Sequence, residues 1–154
     1  MDASRAEVDA NGADLSAIRR GLNRQRTTGI SKTNMHEIPQ QKYSGSCHCG
    51  AVRFEIITNF PELTTCDCSI CRRKNALMVK VHESEFTLIA GESSLSTYKF
   101  HTHTAEHYFC NTCGIYPFHR KRVTPDYFGV NVFCLEDFDP SGIPVRATVG
   151  AGMP

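Results

Sequence analysis

The chain has 154 residues, 40% of them hydrophobic, no tryptophan and a formal net charge of +1, enough for one domain with a modest core. The near-zero charge gives no electrostatic reason to expect nucleic acid or an anionic membrane surface as the main partner, and no run of about 18 apolar residues is present to span a bilayer. Asp2, Glu7, Asp9 and Asp14 are interspersed with arginines before any apolar stretch develops, which argues against a secretory leader and for the cytosol, with the nucleus as the alternative.

Residues 1–41 carry no aromatic side chain and are expected to form a disordered N-terminal arm. A weak helix is predicted over Asp14 to Arg24, where Leu15, Ile18 and Leu22 share one face and Asp14 is placed to cap it. Residues 42–154 are expected to form the folded domain. It opens with Cys47-His48-Cys49-Gly50, followed by a predicted strand from Ala51 to Thr58 that stops at Asn59-Phe60-Pro61. Cys66-Asp67-Cys68-Ser69-Ile70-Cys71 comes next and runs straight into Arg72, Arg73 and Lys74.

Further strands are predicted at Leu77 to His82, Phe86 to Ala90, Leu95 to Phe100, Ala105 to Cys110 and Tyr127 to Phe133, with Gly91 to Ser94 as a hairpin-like connection. His101, His103 and His107 would share one face if a single extended strand carried them. They are the candidates for proton transfer, while His48 reads as an exposed loop residue. Cys134 reads as a small apolar residue at a strand end. No helix-period segment of ordinary length follows residue 42, so the expected class is mainly β.

Seven of the eight cysteines fall into Cys47-x-Cys49, Cys66-x-Cys68-x-x-Cys71 and Cys110-x-x-Cys113. Such spacings suit thiolates converging on a metal, and in a reducing compartment they favour metal over cystine. Zinc takes four ligands when structural and three plus an open position when catalytic, so seven thiols divide as four plus three. The glycines indicate how. Gly50 and Gly114 directly follow Cys49 and Cys113, as befits a backbone that turns sharply to present two sulfurs to one ion. Cys47, Cys49, Cys110 and Cys113 are therefore paired as a closed site joining segments about sixty residues apart. Cys66, Cys68 and Cys71 are assigned a second ion with one position free; the alternative is a closed structural site completed by Cys134 or a histidine.

Three blocks, Gly45-Ser-Cys-His-Cys-Gly-Ala-Val-Arg-Phe54, Cys66-Asp-Cys-Ser-Ile-Cys-Arg-Arg-Lys74 and Phe109-Cys-Asn-Thr-Cys-Gly-Ile-Tyr-Pro-Phe-His119, resemble the signature blocks of the glutathione-dependent formaldehyde-activating enzyme family, which includes centromere protein V. The resemblance implies a small zinc-stapled β-sheet domain of the Mss4-like (β-tent) kind. It also implies a structural zinc on the first and third blocks, a second zinc on Cys66, Cys68 and Cys71, and a carbon-sulfur lyase activity that joins formaldehyde and glutathione.

Chemically, three thiolates and an open metal position suit carbon-sulfur bond formation and cleavage. Arg72, Arg73 and Lys74 would offset the negative charge or hold a carboxylate of a co-substrate such as glutathione. The expected function is thus a zinc-dependent lyase acting on a small-molecule thiol and aldehyde, with two zinc ions and catalytic Cys66, Cys68 and Cys71. The alternative is a non-catalytic, zinc-stapled interaction module resembling centromere protein V.

Overall fold

A computed structural model describes residues 39–150. The expected arm, but for its last three residues, and the expected helix at Asp14 to Arg24 lie outside them; the strand ladder begins at Gln41. As expected, the domain is mainly β, its strands divided between two sheets.

The smaller sheet is antiparallel, in the order β1 (Gln41–Ser46), β2 (Arg53–Thr58), β5 (Phe86–Ala90). The larger has seven strands in the order β10 (Val145–Thr148), β3 (Leu63–Cys66), β4 (Met78–His82), β9 (Tyr127–Asn131), β8 (Phe118–Arg120), β7 (Glu106–Cys110), β6 (Leu95–Tyr98). Only the β10–β3 pair is parallel. Among the described residues the one α-helix, α1 (Cys71–Lys74), ends at Asn75, whose φ of 47° is left-handed, a common way for a helix to stop.

Side chains alternate across a strand, and the larger sheet uses this to separate two environments. Val79, Val81, Phe128, Val130 and Phe118 face the smaller sheet and pack with its Phe54, Ile56 and Phe86. Phe54, Ile56, Val79 and Val130 are at most 1% exposed, and burial of each such side chain contributes roughly 1.5–3 kcal/mol. The opposite face carries the intervening residues. Lys80 pairs with Gly129, Gly129 with His119, His119 with His107, and His107 with Tyr98, giving one row across five strands. Cys66 shares this face, since it follows Thr64, which pairs with Met78.

Of the predicted strands, Phe86 to Ala90 matches β5 end to end, and the five others match to within two residues at each end. Leu95 to Phe100 ends earlier, at Tyr98, because the chain turns at Phe100 to His103. His101 and His103 sit in that turn at φ of 60° and 56°. They are therefore not on a continuous strand with His107, and the shared face expected of the three does not form.

Candidate metal and active site

The first and third cysteine blocks form two matching knuckles. Cys47 and Cys49 lie between β1 and β2; Cys110 ends β7 and Cys113 follows it. Gly50 and Gly114 adopt φ of 75° and 74°, the left-handed backbone that glycine admits without strain. Their N–H groups close the turns onto the carbonyls of Cys47 (3.0 Å) and Cys110 (2.8 Å). All four sulfurs lie within 4.8 Å of one another; Cys49 Sγ is 3.5 Å from Cys47 Sγ and 3.6 Å from Cys110 Sγ. Four thiolates placed tetrahedrally about 2.3 Å from one ion stand about 3.8 Å apart, so this donor set fits a closed four-sulfur metal site.

Backbone N–H groups point at these sulfurs but do not shift them alike: Cys49, despite the Ala51 N–H, is pushed up to about 11 by the neighbouring thiols and burial. Val52 N–H points at Cys47 Sγ at 3.3 Å. Backbone N–H groups of Ile115 and Cys49 lower the Cys113 thiol to about 6, and those of Cys113 and Thr112 hold Cys110 below its ordinary value.

Cys66, Cys68 and Cys71 form the second group, half-buried, their sulfurs also within 4.8 Å of one another. Cys66 ends β3 and Cys71 opens α1. Among the described residues, no fourth cysteine, histidine or carboxylate joins this group. Cys134 is 8% exposed, is pushed up to about 12 by burial and feels the charges of Cys47 and Cys113, so it belongs to the surroundings of the four-sulfur site. Within the triad, burial pushes Cys71 up. Burial acts on Cys68 in the same sense, but there the Cys71 N–H, 3.5 Å away, and the neighbouring sulfurs prevail and hold the thiol below its usual value. The chain's far end completes the surroundings: Gly150 N donates to Asp67 Oδ1, and β10 runs alongside β3 up to Thr148 and Cys66.

The three cations after the triad part company. Arg72 and Arg73 are exposed, and the Arg73 guanidinium turns back to the Ser69 carbonyl at 2.5 Å. Lys74 turns inward: its Nζ lies 3.4 Å from the centroid of the Tyr116 ring, and burial lowers its ammonium to about 8. Lys121 is lowered by burial too and feels the charges of Cys66 and Cys71.

Behind Lys74 stands a hydrogen-bonded aromatic group. Tyr116 Oη is 2.6 Å from His119 Nδ1 and 3.4 Å from His107 Nδ1, and the two imidazoles stack with centroids 5.4 Å apart. Burial lowers His107 to about 4 and His119 to about 3, so both rings are neutral at neutral pH, and it pushes the Tyr116 phenol up. His107 was a candidate from the sequence; Tyr116, His119 and Lys121 were not. For His119 the signal was a glycine inside a strand, Gly129, which marks close approach of another group. A Cβ built there would lie 2.3 Å from His119 Cε1.

A cleft of about 360 Å³ lined by Phe86, Leu95, Tyr108 and Phe118 is lined by no cysteine. Among the described residues, no helix is long and apolar enough to cross a membrane.

The model of the family described as glutathione-dependent formaldehyde-activating enzyme matches residues 42–148. A Halomonas elongata protein, provisionally named a glutathione-dependent formaldehyde-activating enzyme, is 35% identical over 78 residues, covering 45% of this chain and 50% of that protein. The chain thus matches about half the length of this curated relative. The crystal structure of a Rhodobacter sphaeroides protein, a structural-genomics target, superposes with a TM-score of 0.62 at 41% identity, covering 67% of this chain and 99% of that one. With more than half of its length matched, and with the three cysteine blocks folded into two sulfur clusters, the chain belongs to the glutathione-dependent formaldehyde-activating enzyme family.

Proposed function

We propose that this domain is a zinc-dependent carbon-sulfur lyase that makes or breaks the adduct of a small thiol with an aldehyde, glutathione and formaldehyde being the pair that the family name and the relative's name suggest. The observation that carries the reading is the contrast in coordination. One cluster offers four sulfurs; the other offers three, with no fourth ligand among the described residues, beside an inward-turned lysine.

In this reading Cys47, Cys49, Cys110 and Cys113 hold a structural ion, and Cys66, Cys68 and Cys71 hold the functional one. Zinc bound to the triad supplies a soft, electrophilic position that favours the thiolate form of an incoming thiol. Lys74 places a positive charge beside the triad, suited to a carboxylate of the thiol or to the aldehyde oxygen. Its half-buried setting keeps that charge from being fully screened by water. Arg72 and Arg73, exposed at the rim, act at longer range to attract an anion. Tyr116, His107 and His119 hold their protons in the neutral forms and form the wall behind Lys74.

The test is adduct formation followed by NMR with zinc-loaded protein, formaldehyde and glutathione. Acceleration in the wild type and its loss in Cys68→Ala, with zinc per chain falling from two toward one, supports the reading. No acceleration with glutathione, cysteine or other small thiols, despite two bound zinc ions, overturns it in favour of the non-catalytic interaction module. Calorimetry supplies a second check: glutathione should bind and its S-methyl derivative should not, because the latter has no thiolate to offer.

A further inference from the structure

We propose that Tyr116 is a positioning residue: anchored through its hydroxyl to His119, its ring holds the Lys74 ammonium beside the cysteine triad. The proposed catalytic role of that ammonium rests on the lyase reading; the positioning itself does not.

Lys74 closes a helix of four residues that ends at once in left-handed Asn75, so its own element does little to fix a long side chain. The fixing comes from across the sheet. The ammonium lies 3.4 Å from the Tyr116 ring centroid, well inside the range of a cation–π contact. Tyr116 is held at its backbone and at its hydroxyl. Asn131 Nδ2 donates to the Tyr116 carbonyl at 3.0 Å, and the phenol meets His119 Nδ1 at 2.6 Å and His107 Nδ1 at 3.4 Å. A phenol has one proton to donate and lone pairs to accept with, so it can give to one imidazole and receive from the other. His119 in turn lies over Gly129, where a single added carbon would come within 2.3 Å of its ring. Support therefore passes from the bare backbone of β9 to imidazole, to phenol, to ammonium.

The proposed consequence concerns charge. As the thiol sulfur bonds to the aldehyde carbon, the carbonyl π pair moves onto oxygen, and the proton lost by the thiol ends on that oxygen. An ammonium already held at the site stabilises the oxygen while it is negative, and is not consumed. A lysine free to wander would have to be ordered during the reaction.

The experiment reads the ε-methylene of Lys74 by NMR in protein carrying ¹³C-lysine, since a group over an aromatic face resonates upfield. Lys74→Arg identifies the signal by deleting it. Lys80, 3.8 Å from the Tyr127 centroid, provides a second upfield signal as an internal control. Tyr116→Leu is expected to return the Lys74 signal to the exposed-lysine position and leave that of Lys80 unmoved; His119→Ala and Gly129→Ala are expected to shift it part of the way. In the adduct assay, Tyr116→Leu should lower kcat by roughly tenfold or more with KM within about twofold, and Tyr116→Phe, which keeps the ring, should recover much of that. A Lys74 signal unmoved by Tyr116→Leu, or unmoved by both His119→Ala and Gly129→Ala, overturns the proposal. If Tyr116→Leu fails to fold by circular dichroism, His119→Asn takes its place, and an unmoved Lys74 signal in that variant overturns the proposal equally. Should the Lys74 signal move as expected while the wild type forms no adduct with any thiol, the positioning stands and the lyase reading falls.

Discussion

The two sulfur clusters use the same donor atom and differ in how the chain reaches it. Cys49 and Cys110 are 61 residues apart in sequence and 3.6 Å apart at sulfur, and Cys47 and Cys110 are at most 2% exposed. The triad draws its sulfurs from one stretch of six residues, each half-buried. A cross-link between distant segments removes much of the unfolded chain's freedom, whereas one within a short loop removes little. In the proposed reading the first arrangement serves stability, and the second would leave a bound metal accessible without making the fold depend on it.

The sharpest way to break this comparison is Cys110→Ser. Metal affinity is folding free energy in small zinc domains, so this variant should lose cooperative unfolding and bind less zinc; an unchanged melt and zinc content would dissolve the pairing. Cys71→Ala should do the reverse, abolishing adduct formation while costing only roughly 1–2 kcal/mol of stability in a urea titration. If both variants melt alike, the triad is structural.

Gly129→Ala sharpens the comparison from the sheet side. The added carbon must displace His119, and such overpacking costs roughly 1–3 kcal/mol, measurable by urea denaturation with zinc content unchanged.

The histidines behind Lys74 set a pH dependence. Burial lowers His107 to about 4 and His119 to about 3 from an ordinary 6.5. Below 6.5 the unfolded chain binds protons that the folded chain refuses, so the stability these neutral rings contribute is present above 6.5 and lost as pH falls toward their folded values. The slope is up to about 1.4 kcal/mol per pH unit for each histidine. Comparing wild type with His107→Gln at pH 7 and pH 5 isolates the effect, since acid acts on the cysteines of both proteins; the wild type should lose more stability over that interval. Equal losses would contradict the buried, neutral assignment.

The smallest effect expected is that of the rim. Arg72→Ala should change the KM for a carboxylate-bearing thiol by about twofold or less, as exposed charges do. Lys74→Ala should have the larger effect of the two in the same assay.

Much of this was readable from the chain. The knuckles were legible because a glycine after a cysteine states a backbone requirement locally, and φ of 75° and 74° meets it. Strands with β-branched and aromatic runs, such as Phe86–Ala90, were legible for the same reason. Four strands escaped: β1, whose Gln41–Ser46 is mostly polar and small, and β3, β8 and β10, which have four, three and four residues. β8 is too short to show a period, β3 and β10 carry few apolar residues, and the parallel pairing of β10 with β3 joins residues 82 positions apart, such as Val145 and Leu63. The wall behind Lys74 was hidden because it is a product of register: His107, His119 and Gly129 become neighbours only when β7, β8 and β9 align. Likewise, adjacent Arg73 and Lys74 differ only in helical phase, and it is phase that sends one to Ser69 and the other to Tyr116.

The pairing of β10 with β3 also bears on the order of events at the ribosome. The four-sulfur site has all its donors once Cys113 has emerged, whereas the triad, although its cysteines are made early, lacks its flanking strand and the Asp67–Gly150 hydrogen bond until residues 145–150 follow. A nascent chain therefore carries all four donors of the first cluster before it carries the segment that completes the surroundings of the triad.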